Sequence, residues 1–396
     1  MKKFFGAKKI SWALLVAAAF LLACCANDDP AKVRSSAIKK LYKNGSVKIA
    51  LANSFDSNKS LMVQGALLAK DKIQNDNLCP VHIEFVKFDD GGNSTSGTLG
   101  AYQIAADNEL CAVIGHGYSD ISLPCSLIYQ YHGILHFNFV STLHAITERG
   151  NPLVFSNMPN DIDFGEAAAN LCESNGYKNI IVYYLENRSG TSLSNSFELN
   201  CSKLGINIAS RESYDSSSSE QEIERDIKRI KNNFSFDSIF LASRMPDIQT
   251  IITLARKNGI TCPIVGADPF DDPLLAQALP ANENGKIFCV SNYNENSANS
   301  RFKEFREAFY KKYGVEADQE AAQAYDALLV LAKAIAIAHS AVPQDIANVL
   351  KSERWDEAAG PYEFSESGAL KKRRITAKVF NDGKFNELKE ETANSQ

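Results

Sequence analysis

The stretch Ala112-Val113-Ile114-Gly115-His116-Gly117-Tyr118-Ser119-Asp120-Ile121-Ser122 turns a short apolar run into a glycine-containing loop and then into an amphipathic segment. The apolar run reads as a buried strand, and Ser122 to Tyr131 as a helix. A second strand, Ile134 to Phe139, follows Gly133. Strand, helix and strand in that order imply a parallel sheet with helices on its faces.

The same alternation extends both ways. Upstream, strands at Val47 to Leu51 and Val81 to Phe88 alternate with helices at Leu61 to Ile73 and Gly97 to Asn108. Downstream, the rhythm restarts with strands at Ile180 to Tyr184, Ile206 to Ser210, Ser238 to Leu241 and Ile264 to Val265. Helices near Ile162 to Ser174, Leu193 to Leu204, Ser219 to Asn232 and Asp247 to Lys257 separate them, two stopped by Asn-Gly pairs. Then come helices at Arg301 to Tyr313, Gln319 to His339 and Gln344 to Lys351, and a final strand at Arg374 to Phe380. The late helices need a sheet to cover, and the first unit's sheet is available. The expected class is therefore α/β, with two lobes, each a parallel-sheet αβα sandwich. The chain should cross between them near Asn157–Asp161, Asn292–Asn296 and Ala358–Gly360, giving a hinge that closes on a ligand. The lobes expected are 47–157 with 294–358, and 158–293 with 359–392.

The first residues carry a basic head of Lys2, Lys3, Lys8 and Lys9, then an apolar run to Ala23. This fits a signal peptide over 1–23, too short to span a bilayer comfortably. Leu21-Leu22-Ala23-Cys24 resembles a bacterial lipobox. The resemblance implies lipidation at Cys24 and anchoring to a bilayer through N-terminal acyl chains, on the periplasmic or cell-surface side. Residues 24–46 then read as a flexible tether, reaching roughly 25 Å.

About 370 residues would remain, enough for two domains. The net charge is −5, and loss of the four signal lysines makes it −9. A chain that acidic repels nucleic acid. Of nine cysteines, Cys79, Cys111, Cys125, Cys172, Cys201, Cys262 and Cys289 lie beyond the lipobox pair. None has zinc-finger spacing. Cys262 and Cys289 each adjoin a strand of one lobe and are the favoured bridge, with buried free thiols the alternative. His132 and His136 straddle a turn and do not suggest a metal site. No Gly-x-Ser-x-Gly or P-loop occurs, and Gly115-His116-Gly117 lacks a dinucleotide fingerprint's third glycine. Nothing points to an enzyme, cofactor or metal.

From Val47 to Asp382 the chain resembles the type I periplasmic binding proteins of the Leu/Ile/Val-binding branch. The similarity is carried by Val113 to Asp120, Pro124, Gly133-Ile134-Leu135, Ser141-Thr142, Thr147 to Gly150, Ala324 to Ala327 and Gly360 to Phe364. It implies an extracytoplasmic receptor that captures an amino acid and docks on ABC permease membrane subunits. A sensor or assembly lipoprotein of the same fold is the alternative.

Ligands of such sheets bind beyond the carboxyl ends of strands, beside helix N-termini. Tyr118 and Ser119 lie there, and the resemblance gives Ser119 a carboxylate-binding role; capping the helix is the other reading. It adds Val140 and Ser141 by position and the Thr142 hydroxyl, which could instead cap a helix at Leu143. Asp268 would hold an ammonium, or serve only as a turn residue before Pro269. Ser189 and Arg244 stand at or beside positions where the family has covering aromatics, and Phe55 could cover the ligand or lie on the surface. Asp120 beside an anion site should point to solvent or to a cationic group.

Overall fold

The computed structural model describes residues 29–55, 60–293, 299–371 and 375–388. Cys24 and the signal segment lie outside them. The first sheet has five parallel strands in the order β2-β1-β3-β4-β5. They are β1 (Ser46–Asn53), β2 (His82–Asp89), β3 (Leu110–Gly115), β4 (Leu135–Asn138) and β5 (Val154–Ser156). Both faces are covered, so β3 is buried at all six positions. In β1, Ile49 and Leu51 enter one core, while Ala50 and Ala52 enter another on the opposite face.

Helices α1 (Pro30–Lys43), α2 (Met62–Asn75), α3 (Ser94–Ala106) and α4 (Ser119–His132) belong to this lobe. In the second lobe α5 (Asp161–Ser174), α6 (Arg188–Lys203), α7 (Glu220–Asn233), α8 (Asp247–Lys257) and α9 (Pro273–Ala278) flank its sheet. Helices α10 (Ser300–Tyr313), α11 (Gln319–Ala338) and α12 (Pro343–Ser352) return to the first lobe. Helix α11 is long and apolar enough to cross a membrane, but most of it is buried as the lobe's core helix. It crosses α2 closely because Gly65 leaves room: a Cβ there would sit 2.1 Å from the Ala321 carbonyl oxygen.

The second sheet orders β14-β13-β10-β9-β8-β6-β7. Its strands β6 (Asn179–Leu185), β7 (Asn207–Tyr214), β8 (Ser238–Ala242), β9 (Ile264–Gly266) and β10 (Ile287–Ser291) are parallel. Strands β13 (Thr376–Asn381) and β14 (Lys384–Glu387) add antiparallel to β10's edge. The intervening hairpin, β11 (Arg354–Glu357) and β12 (Gly360–Glu363), stays in the first lobe.

Three expectations are corrected. The tether folds from Pro30: α1 is capped by the Asp29 side chain and docked through Arg34 and Ile38, one turn apart on one face. Arg34 is fully buried. Its guanidinium donates to the carbonyls of Ala105 (2.6 Å), Asp107 (2.7 Å), Leu110 (2.8 Å) and His132 (2.8 Å). Burial lowers its pKa to about 10, so it stays charged at neutral pH. The third crossing lies after Leu370, not at Ala358–Gly360. Trp355, Tyr362 and Phe364 bury in the first core, Phe364 packing edge-on to Phe137 and Phe155. Finally, Cys262 and Cys289 are unbridged, as are the other five described cysteines. Cys289 pairs in register with Gly266, four residues beyond Cys262. At ~3.3 Å per residue that offset is ~13 Å, beyond the ~7 Å Cα separation a disulfide tolerates.

Replacing Arg34 by Ala removes four charge-assisted bonds and leaves buried carbonyls short of a donor. We expect a loss of stability on the order of 3 kcal/mol, read from the denaturant midpoint. A change below about 0.5 kcal/mol, the usual surface value, would mean α1 is not docked.

Candidate ligand-binding site between the lobes

Strands β1, β3, β4 and β9 end toward one cleft, and the loops that follow them supply its walls. The loop after β3 is fixed from beneath. His116 is fully buried, with Nδ1 2.8 Å from Asp90 Oδ2 and Nε2 2.9 Å from the Tyr129 hydroxyl. Its carbonyl accepts from the Ser122 and Ser141 hydroxyls, each at 3.0 Å. His136 donates from Nε2 to the Gly115 carbonyl at 2.6 Å; burial, then His116, depress its pKa to about 3, so it is neutral.

This platform presents Ser119 as the first residue of α4, 7% exposed. Tyr118 takes the cap position, so Ser119 is not the cap, and its hydroxyl has no partner among the described residues. The first N–H groups of α4 need acceptors, and the helix dipole favours an anion there. Asp120 is no obstacle: its carboxylate turns to Arg188 across the cleft, 3.6 Å from Nε.

The loop after β4 carries Val140, Ser141 and Thr142. Ser141 is here, but its hydroxyl is used inside the lobe, on His116 and on Ser122 at 2.9 Å. Thr142 is half-buried and does not cap the 3-10 turn at His144–Ile146, where Leu143 holds that place. Its carbonyl accepts from the Asp161 N–H at 2.8 Å across the lobe boundary.

Asp161 is the residue that sequence reasoning missed. It opens α5, is 1% exposed, and neither carboxylate oxygen has a hydrogen-bond partner among the described residues. The Thr142 and Ser192 hydroxyls lie near enough to moderate its charge without reaching hydrogen-bonding geometry. Burial pushes it up to about 6. Asp268, at the turn after β9, is pushed up to about 8 by burial and then by the nearby Asp161 charge. Neither Asp161 nor Asp268 has an ion-pair partner among the described residues. The signal for Asp161 was present in Asn160-Asp161-Ile162-Asp163, a capping box, but it looks like helix punctuation alone.

At the mouth, Arg244 lies over the Tyr118 ring, 4.9 Å from its centroid, and forms no ion pair with Asp268. Together with Asp120–Arg188 and His144–Ser192 (3.4 Å) it joins the two lobes. Ser189 sits half-buried in the first turn of α6. Phe55 packs on the first core, its N–H donating to Asp89 at 3.1 Å. One lobe thus offers the donors at the start of α4, and the other offers Asp161 and Asp268, which lack a cation among the described residues.

The sequence profile of the periplasmic binding proteins matches residues 50–383. The chain belongs to the periplasmic binding protein family. It is of the type I, branched-chain amino acid kind. The Leu/Ile/Val/Thr-binding protein of Salmonella typhimurium is 25% identical over 305 residues, 76% of this chain and 80% of that protein. A Pseudomonas aeruginosa protein binding leucine, isoleucine, valine, threonine and alanine is 23% identical, covering 78% and 81%. The ABC transporter substrate-binding protein of Desulfitobacterium hafniense, solved with Leu, superposes with a TM-score of 0.76. It is 27% identical over 87% of this chain and all of that one. These relatives are binding components rather than enzymes, and the family's location places the chain outside the cytoplasm.

The raised Asp268 pKa has a stability consequence. Between about pH 4, the unfolded value, and about 8, folded Asp268 holds a proton that the unfolded chain releases. Stability of the ligand-free protein therefore falls as pH rises through that window. We expect Asp268→Asn to flatten this slope in melting curves from pH 5 to 8.5; an unchanged slope would show that Asp268 titrates normally.

Proposed function

We propose that this periplasmic binding protein is the extracytoplasmic receptor of an ABC importer, and that its ligand is an amino acid or a close relative. The observation that carries the reading is the pair Asp161 and Asp268, neither with a cation among the described residues and Asp161 with both oxygens unbonded, across from the N-terminus of α4. An α-carboxylate takes the Ser119 hydroxyl and the first N–H groups of α4, and draws further on the Thr142 hydroxyl and the Val140 backbone. The α-ammonium takes Asp268, with Asp161 behind it. A buried carboxylate is costly alone and favourable when a cation meets it through charge-assisted bonds. A ligand cation thus takes the place of the proton that burial otherwise holds on Asp268, which favours the closed form. Relatives named for leucine, isoleucine, valine and threonine support the amino-acid class. Ser189 and Arg244 in place of apolar walls argue for a more polar side chain than leucine.

Cys24 as the lipidated N-terminus and ABC permease subunits as docking partners complete the proposal. Helix α1, held by Arg34, would then leave only a short segment between the lipid and the first lobe.

Calorimetry against the twenty amino acids should give saturable binding, weakened by about 2–5 kcal/mol in Asp268→Ala, the cost of breaking a buried charge pair. No binding by any amino acid would refute the ligand class. Binding with unchanged affinity in the variant would refute the role of Asp268.

A further inference from the structure

The cleft has a second acidic wall that the carboxylate-and-ammonium reading does not use. Glu320 lies in the first turn of α11 and accepts from Asn53 Nδ2 at 3.2 Å and from the Ser60 hydroxyl. Asn53 ends β1, so this places Glu320 at the same carboxyl edge of the sheet as the loop after β3. Asp318 precedes it as the α11 cap, accepting from Ala321 N (2.7 Å) and Leu61 N (3.3 Å). Asp272, the cap of α9, accepts from Leu274 N at 2.6 Å and Leu275 N at 3.4 Å; it approaches from the second lobe, four residues beyond Asp268, and its charge is felt by both Asp318 and Glu320. Gln319, between Asp318 and Glu320, bonds Asn292 Oδ1 at 2.7 Å at the second crossing, which ties this wall to the hinge.

Every contact of Glu320 and Asp318 is with a neutral donor. Among the described residues, no Lys or Arg pairs with Asp161, Asp268, Asp272, Asp318 or Glu320. The neighbouring cations are committed elsewhere: Lys378 pairs with Asp271 at 2.5 Å, and Arg244 lies on Tyr118. Burial, then Asp318, pushes Glu320 up to about 7, and burial raises Asp318 to about 6.

Charge balance decides what fits. Asp161, 1% exposed with both oxygens unpartnered, already exceeds what one α-ammonium on Asp268 requires. A zwitterion with a neutral side chain would bring no net charge into a cleft bordered by five carboxyl groups that lack a cation among the described residues. Its cationic end would meet the first pair and leave Glu320, Asp318 and Asp272 facing an apolar group, which is unfavourable. A ligand with a second positive group meets both walls. Ser189, half-buried in the first turn of α6, agrees, since it offers an aliphatic side chain no apolar wall, and Arg244 is turned onto Tyr118.

We infer that the ligand is a basic amino acid, its α-ammonium on Asp268 and Asp161 and its side-chain cation on the wall formed by Glu320, Asp318 and Asp272. This rests on the amino-acid reading above and names the side chain it leaves open.

The test titrates the full mature chain with L-lysine, L-arginine, L-leucine and putrescine by calorimetry, as wild type, Glu320→Gln and Asp272→Asn. L-lysine or L-arginine should bind about tenfold or more tighter than leucine, a charge-assisted bond's worth. Glu320→Gln should cut that preference about tenfold. Asp272→Asn, which keeps the helix cap, should cut it in the same direction and serves if the first variant melts early. Leucine binding tighter than both basic amino acids, or a preference unmoved by both variants, overturns the second wall and leaves the amino-acid reading standing. Putrescine binding tighter than either basic amino acid overturns the carboxylate end. No binding by any amino acid overturns both readings.

Discussion

Asp161, buried with neither oxygen bonded, and the half-buried Asp268 near it, both without a cation among the described residues, are the constraint around which this cleft is organised. A folded protein tolerates such a pair only at the expense of stability, by holding protons it would otherwise release. A binding protein has a use for it. The cost of ionising them in place falls when a cation enters, so that free energy is available only to a ligand of the right charge and to the closed arrangement of the lobes. Both residues are carried on structure that is rigid locally, Asp161 on a capped helix and Asp268 on the turn after a fully buried strand.

The opposite wall depends on a different device. The loop from His116 to Ser119 has its polar groups satisfied from below by Asp90, Tyr129, Ser122 and Ser141, so the groups left for a ligand are those at the start of α4. The fold supplies the rest: in parallel sheets the strand ends and helix starts meet on one edge, and two lobes bring two such edges together. The lobes touch at the mouth through Tyr118–Arg244 and Asp120–Arg188.

Much of this was legible in the sequence, and the parts that were not share a cause. Periodicity located the strands and helices of both lobes, because burial on both sheet faces leaves continuous apolar runs such as Leu110 to Gly115. Resemblance singled out Ser119, Thr142 and Asp268, and all three lie on loops or helix starts at the carboxyl ends of strands. What escaped was polar chemistry that works inside the fold. Arg34 docks α1 by satisfying carbonyls, and an arginine in a charged segment gives no apolar stripe to read. Asp161 resembles an ordinary helix-start residue, and Glu320 an ordinary first-turn acid; only their lack of cationic partners sets them apart, and that is a property of three dimensions. The Cys262–Cys289 pairing failed because adjacency in the sheet was assumed without register. The third crossing moved because the first core is still anchored past Gly360, by Phe364 and then Leu370.

The central claim is that the buried carboxylates face a ligand cation while α4 faces its carboxylate. A crystal structure of the protein with its bound amino acid tests this most directly. The account predicts the α-ammonium within hydrogen-bond distance of Asp268, the α-carboxylate at Ser119 and the first N–H groups of α4. A ligand in the reverse orientation, or one bound with Asp161 and Asp268 remote from any positive group, would contradict it.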